Sequence, residues 1–378
     1  MTVLRADWLT DAASQKVCGL LTDAGFQAWF VGGCVRNALL GAPVDDLDLA
    51  TDAGPDTVLN LARNAGIKAI PTGVDHGTVT LVVDEVPYEV TTFRRDVATD
   101  GRRATVAFAD DMLPDAQRRD FTMNALYAAP DGRIADPLGG LPDLRAGRVR
   151  FILDAETRIK EDYLRILRFF RFTAWYGAPD LGIDRDGLAA CAGHVEGLTS
   201  LSVERVTAEM LKLLAAPDPA PAAAAMASTG ALAQVLPGAD VAALPVLVHL
   251  EQSLGVSPDP LRRLAVMGGD PVADLRLSKK QVRVMAAISY DLPVAELAYR
   301  EGYDTARDAL LVRQAQLAQT VTPDDLDALR RAAVQVFPLT AADLQPRYTG
   351  PALGAALRKA EARWISAGFS LTKDDLLD

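Results

Sequence analysis

The runs Val31-Gly32-Gly33-Cys34-Val35-Arg36 and Asp46-Leu47-Asp48-Leu49 decide how the first part of this chain is read. In an extended strand the period of two puts Asp46 and Asp48 on one face and both leucines on the other. Carboxylates converging on one point repel unless a cation lies between them, and hard oxygen donors of this kind suit Mg²⁺, which keeps several waters and also binds substrate phosphates. Taken alone, an Asp-x-Asp fits a solvated strand edge or a turn better. The paired glycines upstream shift that balance. They close a short β-rich run, QAWFVGG (27–33), and lead into a helical one, CVRNALLG (34–41), so phosphates can approach backbone N–H groups. Arg36 adds a fixed positive charge beside them. By itself the glycine pair reads as a tight turn. A third acid, Glu89, alternates with Tyr88 and Val90 in YEVTTF (88–93). Alone it marks the wet side of a strand; beside the Asp pair it is a third ligand for paired metals, which phosphoryl transfer commonly uses.

Outward from these residues, helices and strands are interleaved up to about Gly140. WLTDAASQKVCGLLTDAG (8–25) and PDTVLNLARNAG (55–66) have helical spacing, the second stopped by Gly66. GTVTLVVD and VPYEVTTFRRD, separated at Asp84 and Glu85, read as a hairpin. From Asp154 onward strand signals almost vanish. RIKEDYLRILRFFRFTAWYG (158–177) and VERVTAEMLKLLAA (203–216) repeat apolar residues at helical spacing. PDPAPAAAAMASTG (217–230) resembles a low-complexity linker, but Asp218 can cap, the prolines fit a first turn and Gly230 terminates, which favours a helix. The fold class expected is an α+β head with a mixed sheet, followed by an all-α remainder.

The chain has 378 residues, enough for two or three domains without covalent staples. Cys18, Cys34 and Cys191 form no CxxC pair, against both a disulfide framework and a structural zinc site, so a reducing cytoplasm is expected. The opening MTVLRADWLTDAASQ carries acids and no basic stretch before an apolar core, so no secretory leader is expected, and no apolar run reaches membrane-spanning length. The net charge of −11 argues against a nucleic-acid partner when taken as a whole. Arginines nevertheless cluster at Arg94/Arg95, Arg102/Arg103, Arg118/Arg119, Arg145/Arg148/Arg150 and Arg165/Arg168/Arg171, compatible with a basic groove on an acidic body. His76, His194 and His249 are dispersed and none precedes an Asp, so no His-Asp phosphohydrolase site is expected.

The sequence resembles the class II CCA-adding tRNA nucleotidyltransferases and bacterial poly(A) polymerases of the polymerase-β-like superfamily. The resemblance is carried by GGCVRNALLG and DDLDLAT (32–51), YEVTTFRRD (88–96), RRDFTMNALY (118–127), DPLGGLPDL (136–144), EDYLRILRFFRF (161–172) and LSVERVTAEMLKLL (201–214), in the family's order and spacing over about residues 25–215. It implies a nucleotidyltransferase head over 1–145, a helical neck with a base-reading motif over 146–215, and a helical, tRNA-binding body and tail over 216–378. It further implies that Asp46 and Asp48, with Glu89, are catalytic and hold Mg²⁺, as two ions. Gly32, Gly33 and Arg36 would hold the triphosphate, Arg119, Asp120 and Asn124 the nucleotide, and Asp162 and Arg165, with Arg168 in the same run, the base. Asp120 and Asn124 also suit helix capping, and Arg118 a solvent-facing charge.

Two positions depart from the family pattern: Asn37 stands where Asp usually follows the first-motif arginine, and Tyr163 where many members have Pro in EDPLR. The activity implied is addition of CCA to tRNA 3′ ends from CTP and ATP. Poly(A) polymerase is disfavoured because PTGVDHGTVTLVV (71–83) resembles CCA-adding members. CC-only or A-only addition is disfavoured because the loop FRRDVATDGRRATVAF (93–108) is undeleted. A catalytically silent RNA-binding protein has no need for three converging acids. Oligomeric state is not expressed in the sequence.

Overall fold

The computed structural model describes residues 2–100, 103–345 and 347–377; Arg102 of the arginine clusters lies outside them. The described residues of the first part of the chain hold nine strands: β1 (Trp29–Val31), β2 (Leu47–Thr51), β3 (Lys68–Gly73), β4 (Thr78–Val83), β5 (Val86–Thr92), β6 (Arg94–Asp100), β7 (Arg103–Phe108), β8 (Tyr127–Ala128) and β9 (Ile134–Ala135). Seven form one mixed sheet in the order β3-β4-β5-β2-β1-β8-β9, while β6 and β7 form a separate hairpin. Only β2 and β5 run parallel, and they register Leu47 with Tyr88, Asp48 with Glu89 and Leu49 with Val90. The α+β head expected from the sequence is thus present, and among the described residues no strand follows Ala135.

Alternation along the strands explains the two faces of the sheet. Leu49, Val79, Leu81, Tyr88 and Val90 are fully buried on one face, where the helices Ala12–Thr22 and Pro55–Asn64 pack. The opposite face carries Asp48, Glu89 and Thr80 as one cross-strand row. The two-residue turn between β4 and β5 has positive φ at both Asp84 (50°) and Glu85 (67°), the conformation of a tight two-residue hairpin. Gly132 and Gly139 in the loops around β9 also take positive φ. Gly140 has a different reason. A Cβ there would lie 2.0 Å from the carbonyl oxygen of Thr122, so the helix Gly140–Ala146 sits directly on the segment after Arg118-Arg119-Asp120.

Three expectations shift in detail. The 8–25 stretch is two helices, Asp7–Thr10 and Ala12–Thr22, because Asp11 is extended and caps Ala13 N–H. Asp46 lies just outside β2, which begins at Leu47. The single helix expected over 158–177 is broken into Ala155–Glu161 and Leu164–Tyr176. Asp162 is extended there (φ −156°, ψ 104°), and its Oδ1 accepts from the Leu164 N–H at 3.1 Å. The alanine-rich stretch is helical over Ala220–Ser228, with Asp218 accepting from the Ala220 N–H.

The chain divides into two compact units, Met1–Glu209 with Ala225–Val235, and Met210–Ala224 with Leu236–Asp378. The second unit is helical. Its centre holds ions: Arg262, Arg263 and Glu251 are each 1% exposed. Glu251 accepts from Arg262 Nε and from Arg263 Nε, both at 2.9 Å, and Arg262 Nη1 also reaches Asp308 at 2.7 Å. Arg263 donates to the carbonyls of Leu214, Ala216 and Pro217, groups left without partners where the helix Val203–Leu214 ends. A separate cluster near the C-terminus packs Trp364 against Tyr299, Phe337 and Phe369. No helix of the described residues is long and apolar enough to cross a membrane.

Candidate active site

The acids lie around the N-terminal end of β2. Asp48 and Glu89 are direct partners across the parallel pair, and Asp46 precedes β2 by one residue. Burial, then Glu89 and Asp46, push the Asp48 carboxyl up to about 6, against an opposing pull from Arg119. Glu89 is exposed and its row on the open face continues to Thr80, which pairs with Thr72 at 2.9 Å.

Arg119 links the acids to the glycine turn. Gly32 has φ +74°, and a Cβ there would stand 3.2 Å from Arg119 Nη1, so the missing side chain leaves room for that guanidinium. Arg119 Nη2 donates to Asp115 at 3.1 Å, and Asp115, 1% exposed, also accepts from Tyr127 OH at 2.8 Å. Burial works against the Arg119 charge, but Asp115 outweighs it and holds the group firmly protonated. Its buried Nε has no hydrogen-bond partner among the described residues. A buried unpaired donor near the raised Asp48 carboxyl and an open glycine turn is a place for a ligand oxygen.

Arg36 is placed differently from a free phosphate ligand. It is 8% exposed, donates to Asn124 Oδ1 at 2.5 Å, to Asn37 Oδ1 through Nε and Nη2, and to Tyr176 OH at 2.9 Å. Its guanidinium also lies over the rings of Tyr176 and Phe172, at 4.3 and 5.1 Å from their centroids. All three acceptors are neutral, and burial lowers its proton affinity. Asn37, the residue standing in place of Asp, has a defined role here: it accepts from Arg36 and donates to the Pro43 carbonyl.

A polar chain continues from Arg36 into the helix Leu164–Tyr176. Asn124 donates to Asp120 Oδ1 at 2.8 Å, and Asp120 Oδ2 accepts from Arg168 Nε at 2.7 Å. Burial opposes the Asp120 charge, but Arg168, Asn124 and the Phe121 N–H bring its carboxyl down to about 2. Arg168 also approaches Glu209, which accepts from Arg171 at 2.6 Å. Phe172, 3% exposed, has the guanidinium groups of Arg36, Arg168 and Arg171 over its ring. Asp136 caps Gly140 and Leu141, and Asp143 accepts from Thr122 Oγ1 at 2.7 Å, so the DPLGGLPDL segment props the Asp120–Asn124 loop from behind.

Asp162 and Arg165 do not pair with each other. Asp162 Oδ2 accepts from Arg205 Nη2 at 2.6 Å. Arg165 binds Glu161, the Arg158 carbonyl at 2.7 Å and the Arg118 carbonyl at 2.9 Å, the last contact bringing it beside Arg119. Three of its donors are used, leaving Nε and one Nη2 hydrogen. Arg118 itself lies near Asp115, at 3.8 Å. Sequence reading does not single out Asp115, Tyr176, Arg205 or Glu209. Asp115 at i−4 from Arg119 is the one local signal available.

The family described as "Poly A polymerase head domain" matches residues 28–150, and the one described as "Probable RNA and SrmB- binding site of polymerase A" matches 180–242. The mitochondrial CCA tRNA nucleotidyltransferase 1 of Danio rerio is 31% identical over 93% of this chain and 86% of its own. The chain belongs to the CCA tRNA nucleotidyltransferase family. A CCA-adding enzyme of Geobacillus thermodenitrificans is 42% identical over 57% of this chain and 52% of its own. A crystal structure of the Bacillus stearothermophilus CCA-adding enzyme in complex with CTP has a TM-score of 0.73 and 29% identity, covering 94% of this chain and 92% of that one.

Nucleotidyltransferases of this family generally use divalent metal ions. Among the described residues no three His, Cys, Asp or Glu side chains are gathered so as to hold an ion alone. The donor set still fits one. Asp48 is raised first by burial and then by the like charges of Glu89 and Asp46, which a cation would offset, and Mg²⁺ is usually held by one or two carboxylates with the rest of its shell from water and phosphate.

Proposed function

We propose that the protein adds CCA to the 3′ end of tRNA, taking CTP and ATP and releasing pyrophosphate, with Asp46, Asp48 and Glu89 as the catalytic carboxylates. The observation that carries the site assignment is the register of Asp48 with Glu89 across β2 and β5, just after the chain passes Asp46 and Leu47, together with Arg119 set into the space that Gly32 leaves. Mg²⁺ held by Asp46 and Asp48, with Glu89 beside them, would help the attacking 3′-hydroxyl lose its proton and offset charge on the leaving pyrophosphate. Arg119 offers its unpaired Nε to a phosphate oxygen, and the Gly32-Gly33 turn lets that oxygen approach the backbone. Arg36 contributes a buried positive charge whose direct hydrogen-bond acceptors are neutral while the Asp120 carboxylate attracts it, and Asn124, Asp120 and Arg168 fix its position.

Asp162 and Arg165 read the base. Cytosine and adenine each present an amino donor beside a ring-nitrogen acceptor, matching a carboxylate beside a guanidinium, whereas guanine and uracil reverse that order. Arg165 keeps two donors for this, and Asp162 keeps lone pairs beyond those used by Leu164 and Arg205. The three buried, unbridged thiols support a reducing, cytoplasmic setting.

Incubating the pure protein with tRNA lacking its terminus and with each labelled nucleoside triphosphate tests this reading. Three additions in the order C, C, A are expected. A long adenosine tract would assign a poly(A) polymerase, arrest after two cytidines a CC-adding enzyme, and no transfer a silent RNA-binding protein. Asp46→Ala and Asp48→Ala are each expected to abolish transfer while tRNA binding persists.

A further inference from the structure

Asp162 sits at a backbone break that its own Oδ1, accepting from the Leu164 N–H, favours but does not lock. The helices on either side, Ala155–Glu161 and Leu164–Tyr176, are separated by Asp162 in extended conformation and Tyr163 at φ −59°, ψ −16°. Proline at 163, frequent in the resembling family, would impose this break covalently. Its ring fixes φ near −65° and pushes the preceding residue out of the helical region. Tyrosine imposes neither restraint, so in this chain the Asp162 cap on Leu164 is supplemented by a second interaction, one that holds residue 163.

That interaction is visible at Gly197, in the 3₁₀ turn Val195–Ser200. A Cβ on Gly197 would lie 2.1 Å from Cδ1, 2.2 Å from Cε1 and 2.4 Å from Cγ of Tyr163, so the aromatic ring occupies the volume of the missing side chain. The glycine is not needed for its backbone, because its φ is not positive. It is needed for the space. Leu198, beside it, is buried, and the turn leads through Ser200 to the helix Val203–Leu214, whose Arg205 holds Asp162 Oδ2. Beyond its own cap on Leu164, the two further restraints on Asp162, the ring under its neighbour and the guanidinium on its carboxylate, come from the same short stretch of chain.

We infer that Tyr163, seated on Gly197, is a positioning residue for nucleotide selection: it replaces the conformational restraint of proline and keeps Asp162 extended so that its carboxylate meets the base. This rests on the reading of Asp162 as a base-reading group. Tyr163 touches no reacting atom, so its removal changes which nucleotide is accepted more than how fast the right one is joined.

The test uses the full chain and tRNA lacking its terminus, and reads the ratio of kcat/KM for CTP over UTP and for ATP over GTP, with circular dichroism as a check on folding. Tyr163→Ala and Gly197→Ala are expected to lower both ratios about tenfold, the scale of one forfeited hydrogen-bond match, while kcat with CTP stays within a few-fold of wild type. Tyr163→Pro is expected to keep the wild-type ratios, because it restores the same φ at 163 and the same extended residue before it. A merely structural role would not show this rescue, since proline leaves the seat on Gly197 empty. Wild-type ratios in Tyr163→Ala, or an equal loss in Tyr163→Ala and Tyr163→Pro, would overturn the inference. Asp162→Ala separates the two layers. If it loses discrimination and Tyr163→Ala does not, only the inference fails; if it keeps discrimination, the base-reading assignment falls and takes the inference with it.

Discussion

Repulsion in the site is concentrated on the Asp48 carboxyl, which burial, Glu89 and Asp46 raise to about 6 from an unperturbed 3.8. A carboxyl raised by folding binds its proton more tightly in the folded chain. Its ionisation therefore weighs against folding above about pH 6, and that burden fades as the pH falls toward the unfolded value. Asp48→Asn removes the ionisation. In chelator at about pH 8 the variant is expected to be more stable than wild type by on the order of 2 kcal/mol, and the two should converge near pH 4. Divalent cation added at the higher pH should raise the melting temperature of wild type and not of the variant, which transfers no nucleotide. Equal melting temperatures in chelator at both pH values would show that neither burial nor the neighbouring acids raise the Asp48 carboxyl. At this scale Asp48 and Glu89 could be read from the sequence as outward strand residues, and the β2–β5 register sets them side by side, whereas Asp46 falls just outside the strand. Tyr176 on Arg36 and Asp115 beneath Arg119 were largely not legible: the first partner lies 140 residues away and meets it only through tertiary packing.

At the scale of elements, the hairpin turn at Asp84-Glu85 and the helix over Ala220–Ser228 follow from local chemistry, so sequence alone located them. The break at Asp162 was largely hidden, because the apolar spacing of 158–177 runs through it without an internal glycine or proline and part of the cause lies in Gly197; the one local signal is Asp162 itself, which caps Leu164. The ion cluster in the second unit was hidden for a related reason: Arg262 and Arg263 sit side by side in a helix yet are both buried, which no amphipathic pattern announces. Glu251 is the shared partner of both. Glu251→Ala leaves two buried guanidinium groups short of an anion and is expected to destabilise this unit by about 3–5 kcal/mol, read as a lowered urea midpoint. A change under about 1 kcal/mol would mean that Asp308 and the helix-end carbonyls suffice to hold the arginines.

At the scale of the whole molecule, a chain of net charge −11 must still hold a polyanion, and local surfaces decide where. The helix Lys279–Ile288 offers one. It buries Met285, Ala287 and Ile288, while Lys279, Lys280 and Arg283 are exposed and, at spacings of three and four, share a face. Arg276, also exposed, precedes its cap Ser278, and Tyr290, 43% exposed, follows its end. Folded RNA is recognised largely by shape and by its phosphates, and each phosphate neutralised releases counterions and steepens the dependence of affinity on salt. If this face binds tRNA, reversing Lys279, Lys280 and Arg283 to Glu should weaken tRNA binding and lower the slope of log affinity against log salt by roughly 0.7–0.9 for each phosphate that is no longer neutralised. The turnover number at saturating tRNA should stay near wild type, because none of the three lies in the unit that carries Asp46, Asp48 and Glu89. An unchanged salt slope would place the phosphate-binding surface elsewhere in the chain, and a fall in turnover with affinity intact would mean that the helix acts on the chemistry and not on the grip of the RNA.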